Sequence, residues 1–148
     1  MTDKMSDSEI QDWIKLDEGY RPHVYLDTKG IPTAGYGHAF LPNSPIPHDV
    51  ANLFFEMDWG LAIKRYSLYA KRYELDLNPV RRGVIINMMY QMGYLGVRRF
   101  ARMTKCLQME DYEGAADEML DSQWARNHKA RSGRLARWMR AGEINNKK

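Results

Sequence analysis

Residues 17–38 read DEGYRPHVYLDTKGIPTAGYGH, and this stretch changes period from a helix to a hairpin. Gly19 is a natural stop for a helix ending at Glu18. From Tyr20 to Asp27, Val24 and Leu26 alternate with Tyr25 and Asp27, the period-two pattern of a strand. Asp27-Thr28-Lys29-Gly30 then reads as a turn, with Asp opening it and Gly closing it. Residues 31–38 form the return strand, and Pro32 places it at a sheet edge because it lacks an N–H for a ladder. On that strand Thr33, Gly35 and Gly37 fall on one face by period two, leaving room beside the Thr33 hydroxyl. Close packing over the glycines would account for the same pattern.

Upstream, Ser6 and Glu9 make an S-x-x-E capping box, followed by Ile10, Trp13 and Ile14 at helical spacing, so the first helix spans about 7–18. Downstream, LPNSPIPHD (41–49) is a proline-rich connector. A helix from about 48 to 73 carries Val50, Leu53, Phe54, Met57, Leu61 and Ala62 as its apolar stripe. Asn78-Pro79 reads as the N-cap and first position of another helix. Its body, VRRGVIINMMYQMG, is apolar on almost every side beyond Arg82, which predicts the buried centre of a helical lobe closed by Gly93 and Gly96. Two amphipathic helices are predicted over about 110–123 and 132–140. The expected fold class is α+β in one domain of 148 residues: a small N-terminal helix and β-hairpin lobe (about 1–47), an inter-lobe helix (48–73) and a larger helical lobe (74–148). A cleft between such lobes is a natural ligand site.

Composition excludes several classes. Hydrophobic residues make up 44% and charged residues 28% of the chain, ordinary values for a folded soluble protein. One cysteine, Cys106, rules out an internal disulfide framework and fits a reducing compartment. It has no His or second Cys at ligand spacing, so a zinc site is not expected. The N-terminal residues show no secretory signal, and no apolar run reaches the length of a membrane span. The formal charge is +3, concentrated after Ser122, where Arg126, Lys129, Arg131, Arg134, Arg137, Arg140, Lys147 and Lys148 face Glu143 alone. Such a face attracts polyanions, nucleic acid and anionic wall polymer among them, although a solvated cationic helix has the same composition.

Glu18 and Asp27 are the candidate chemistry. Unpaired carbonyls in the last turn of a helix disfavour negative charge, so a stability-driven choice at position 18 would be Lys or Arg. A carboxyl that keeps its proton is what a general acid needs. Asp27 stands at the far end of the first strand, where two carboxyls in different surroundings suit an acid/base pair. Asp also favours such turns with no function attached.

The spacing E-x8-D-x5-T, ending in GYGH, resembles the phage-type lysozymes (endolysins) of glycoside hydrolase family 24. INMMYQMG (86–93) is similar to that family's central helix, and DYEGAADEMLDSQWARNHKARSGRLARWMRAG (111–142) to its C-terminal helices, so the resemblance covers most of the chain in order. It implies a lysozyme-like fold and hydrolysis of the β-1,4 bond between N-acetylmuramic acid and N-acetylglucosamine in peptidoglycan. By that resemblance Glu18 is the general acid, Asp27 the base or electrostatic partner, and Thr33 positions the attacking water, with inversion and with no cofactor needed. An inverting pair implies carboxyls roughly 6.5–9.5 Å apart.

The resemblance further implies that Gly37, Tyr90 and Gln91 bind substrate, and that His38 and Asp58 form a structural pair. It makes Trp124 a core residue and Arg131 an ion-pair partner of the first helix, with Arg134 in the same C-terminal pattern. No binding role is carried to Met103 and Glu118, because some relatives have small polar residues there. The connector at 39–47 is shorter than in the best-known relatives, which affects the far subsites. A monomer is expected. It would stay in the host cytoplasm until a separate pore protein, a holin, admits it to the periplasm and cell wall, with no nucleic acid partner and no stable membrane insertion. Two other readings stay open: a lytic transglycosylase acting on the same bond, which needs no base, and a non-catalytic wall-binding module. Membrane disruption by the cationic end would be compatible with any of these.

Overall fold

The computed structural model describes residues 5–144. Lys147 and Lys148 of the basic end lie outside the described residues, as do residues 1–4 of the segment read for a leader. The chain divides into two compact units, Met1–Pro47 and His48–Lys148.

In the first unit, α1 (Asp7–Glu18) begins at the capping box: Ser6 accepts from the Glu9 amide while the Ser6 amide donates to the Glu9 carboxylate at 2.8 Å. It ends at Gly19, whose φ of 72° turns the chain and whose N–H donates to the Lys15 carbonyl. Three strands follow, β1 (Arg21–Leu26), β2 (Pro32–Gly35) and β3 (His38–Ala39), in an antiparallel sheet of that order. The expected return strand is therefore two short strands. Gly35 and Gly37 both take positive φ, 66° and 71°, which bends the backbone into a turn through Tyr36. That bend removes the shared face expected for Thr33, Gly35 and Gly37. It also makes β2 the central strand rather than an edge. Pro32 is tolerated there because it opens the strand, and its carbonyl accepts from the Phe40 N–H at 2.8 Å.

The second unit is helical: α2 (His48–Arg72), α3 (Pro79–Arg98), α4 (Ala101–Gln108), α5 (Tyr112–Leu120), α6 (Gln123–Asn127) and α7 (Lys129–Ala141). Asn78 caps α3 by accepting from the Arg81 N–H, with Pro79 at the first position. The helix does not stop at Gly93. That residue takes φ 77° and ψ 178°, kinking α3, which continues to Arg98. The helix expected over about 110–123 is α5, shorter at both ends, and a separate short helix, α6, follows it, with Ser122 capping α6 through the Ala125 N–H.

The core sits between these helices. Val84, Ile85, Ile86, Met88 and Met89 of α3 are buried with Tyr66 and Tyr69 of α2, Met103 of α4, Met119 of α5, and Leu135 and Met139 of α7. Tyr69 carries its polar end inward, where its hydroxyl meets that of Thr104 at 2.6 Å. Arg81 closes the far end of α7: its guanidinium donates to the carbonyls of Met139 and Arg140 and stacks 3.6 Å from the centroid of Tyr112. Arg140 in turn bridges Glu113 and Asp117 of α5. No described helix is long and apolar enough to cross a membrane.

Candidate active site

The acid candidate is set by the end of α1. Glu18 is that helix's last residue and is exposed. Its carboxyl lies directly on Gly37: a Cβ added there would come within 2.5 Å of Glu18 Oε2 and 2.9 Å of its Cδ. Real side chains do not make such contacts, so the absence of a side chain at 37 is what admits the carboxyl.

Asp27 opens the β1–β2 turn. Its Oδ1 accepts from the backbone N–H of Lys29 at 2.8 Å and of Ile31 at 2.9 Å, while its carbonyl accepts from Gly30. The turn therefore fixes the carboxyl plane through one oxygen, and among the described residues Oδ2 has no hydrogen-bond partner.

Among the described residues of this unit Thr33 is the buried one, 5% exposed. It pairs with Tyr25 on one side and Ala39 on the other. Its hydroxyl donates to the Ile31 carbonyl at 2.9 Å. With its proton committed, Thr33 Oγ1 is left to accept. Ile31 links the two groups, receiving the Thr33 proton on its carbonyl and donating its N–H to Asp27. All three candidate catalytic residues and Gly37 belong to one small unit.

The remaining candidates divide. His38, on β3, packs edge-on against Phe40, with centroids 5.1 Å apart. Asp58 is on α2 beside a small hollow formed with Leu61, Arg65 and Tyr90. Tyr90 packs against Phe55, which stacks on Trp59; these rings, Ile86, Asn87 and Arg131 line a cavity of about 350 Å3. Gln91 is engaged at both ends of its amide, accepting from Trp124 Nε1 at 2.9 Å and meeting His128 Nε2 at 3.3 Å. Trp124 is half-buried and edge-on to Phe100. Arg131 donates to the Asn87 side chain and carbonyl, and Arg134 lies 5.7 Å from the Trp138 ring centroid.

A larger cavity, about 650 Å3, escaped the sequence reading. Arg99, Phe100, Arg102, Glu118, Asp121 and Trp124 are among the residues that line it, at its junction of α3, α4, α5 and α6. Met103 and Glu118, to which no role was carried, both border it. No spacing signals it, because its walls come from four successive helices between residues 92 and 124 and form only when those helices pack. Among the described residues no group of three or more His, Cys, Asp or Glu could hold a metal ion. Cys106 is a half-buried free thiol, and burial pushes its pKa up, with Asp111 and Glu118 adding to the effect.

A helix end and a small sheet that together carry two carboxyls and a hydroxyl, followed in sequence by a helical unit, define a lysozyme-like α+β protein. The sequence pattern of the family described as phage lysozyme matches residues 15–143, and the chain belongs to that family. The chain is 28% identical to probable T4-type lysozyme 1 of Dictyostelium discoideum, the match covering 93% of this chain and 97% of that protein. It is 27% identical to probable T4-type lysozyme 2 of the same organism, over 93% and 96%. It is also 28% identical to the pre-baseplate central spike protein Gp5 of Enterobacteria phage T4, over 97% of this chain but 29% of that larger protein.

Proposed function

We propose that the chain is a muramidase, hydrolysing the β-1,4 bond between N-acetylmuramic acid and N-acetylglucosamine in peptidoglycan. The observation that carries this reading is the seating of the Glu18 carboxyl on Gly37 in the same small unit that holds Asp27 and Thr33. Membership of the phage lysozyme family and the T4-type lysozymes among its relatives support it.

In this mechanism Glu18 gives its proton to the glycosidic oxygen as the C1–O bond breaks. A water adds to C1 from the opposite face, passing its proton to Asp27 Oδ2. Thr33 Oγ1 accepts a hydrogen bond from that water, because its own proton is held by Ile31. The sugar inverts at C1, and solvent returns a proton to Glu18 and removes one from Asp27. In the helical unit, Tyr90 and Gln91 are the residues we propose for sugar binding, on the family resemblance. The Gln91 amide is already held by Trp124 and His128, which restricts its orientation.

The test is a digest of purified peptidoglycan by wild type and by Glu18→Gln, with mass spectrometry of the released muropeptides. Hydrated, reducible N-acetylmuramic acid ends from wild type alone are expected. Anhydro ends would make the enzyme a lytic transglycosylase and remove the role of Asp27. Release of nothing from several wall types would leave a binding module.

A further inference from the structure

Two exposed aromatic rings stand beside the candidate acid. Tyr20 follows α1 directly after the Gly19 turn, and Tyr36 precedes Gly37 in the β2–β3 turn. They are 66% and 49% exposed, so burial in a core does not explain them. Their centroids are 5.7 Å apart with the planes at 44°, and Lys15 Nζ lies 5.4 Å from the Tyr36 centroid. Tilted ring pairs and a cation over a ring are both attractive arrangements.

The sequence positions of these contacts give them meaning. Lys15 is one helical turn before Glu18, on the same side of α1, and Tyr20 is two residues after it. Both reach one residue, Tyr36, which is covalently next to the glycine that the Glu18 carboxyl touches. The end of α1 is thus held to the β2–β3 turn at two points that bracket the acid.

We propose that Lys15, Tyr20 and Tyr36 form a clamp that sets the distance between the end of α1 and Gly37, and thereby orients the Glu18 carboxyl. These are positioning residues, since they act through Glu18 and Gly37 and touch no reacting atom. The clamp rests on the reading of Glu18 as the general acid. It works because Gly37 has no side chain and a φ of 71°, so the held turn presents bare backbone to the carboxyl.

The test compares Tyr36→Ala, Tyr36→Phe and Gly37→Ala with wild type on purified peptidoglycan, below the melting temperature of each. Tyr36→Ala is expected to lower kcat about tenfold or more at unchanged KM. Gly37→Ala, which pushes the carboxyl aside, is expected to lower it about a hundredfold, the scale of a misplacement near 1 Å. Tyr36→Phe keeps the ring and is expected to restore turnover close to wild type. The carboxyl carbon signal of Glu18, followed by NMR through a pH titration, is expected to move in Tyr36→Ala and not in Tyr36→Phe.

A raised KM with kcat intact would make the rings a sugar platform and overturn the clamp. Unchanged kcat with only a lower melting temperature would reduce them to a stabilising contact, with the same consequence. The NMR arm separates this proposal from the muramidase reading. If wild type cleaves no wall but the Glu18 signal still moves in Tyr36→Ala, the hydrolase reading fails and the clamp stands. If wild type cleaves and neither kcat nor the signal changes, the clamp fails alone.

Discussion

In the unit that carries Glu18, Asp27 and Thr33, the buried residue among those described is polar, Thr33. In the helical unit, Tyr69, Ile85, Met88, Met89, Met119 and Met139 are fully buried. The first unit is too small to close an apolar core of its own. Directional contacts fix its shape instead: the Ser6–Glu9 box, the Asp27 turn, short strand pairs and the Tyr20–Tyr36 rings. Apolar burial fixes the second. Substitutions should therefore act differently in the two, changing geometry and chemistry in the first and stability in the second.

The largest expected effect is in the core. Met89→Ala removes a fully buried side chain from the centre of α3 and should cost about 2–5 kcal/mol in urea denaturation. A cost comparable to that of a surface substitution would break the comparison.

Tyr69 sharpens it through pH. Burial pushes its hydroxyl up to about 12, against an ordinary value near 10. The folded protein therefore keeps a proton that the unfolded chain releases. The corresponding stability, about 3 kcal/mol, is complete below pH 10 and is lost as pH climbs through about 12. Tyr69→Phe should flatten this alkaline loss. At neutral pH it should cost only about 1 kcal/mol, because Thr104 also donates to the Phe100 carbonyl. Melting curves from pH 8 to 12 read both effects.

Asp27 separates shape from chemistry in the first unit. Asp27→Ala strips the acceptor from the Lys29 and Ile31 amides and should cost about 1–3 kcal/mol. Asp27→Asn keeps an oxygen for both amides, so amide exchange at Ile31 should stay slow while wall hydrolysis is lost. Retained hydrolysis in Asp27→Asn would remove the base from the mechanism.

The smallest effect is at the start of α1. The Ser6 amide and hydroxyl hold the Glu9 carboxyl below its ordinary range. The capping box is therefore intact at neutral pH and is lost as pH falls through that lowered value. The amides of Ser6, Glu9 and Ile10 should lose protection in acid, relative to their intrinsic exchange rates at that pH, with little change elsewhere.

Much of this was legible from residues with strong local meaning. Ser6 with Glu9, Asn78 with Pro79, and D-T-K-G each do in the structure what their chemistry favours anywhere. What escaped depends on contacts between distant residues or on the use made of a glycine. Helix α4 starts at Ala101, after Phe100 with no side-chain cap, so nothing in the sequence marks it. Gly93 kinks a helix instead of ending it, and Gly35 and Gly37 turn one expected strand into two. In the candidate site, the E-x8-D-x5-T spacing pointed to the residues. The contact of Glu18 with Gly37, the bond from Thr33 to Ile31 and the hold of Trp124 on Gln91 required coordinates.

The most direct test of this division of labour is the rate of reducing-end release from peptidoglycan by Glu18→Gln, measured beside its melting temperature. The expected result is a rate at least about a hundredfold below wild type at an unchanged melting temperature. A variant that keeps its rate, or that loses rate only as far as it loses fold, would contradict the account.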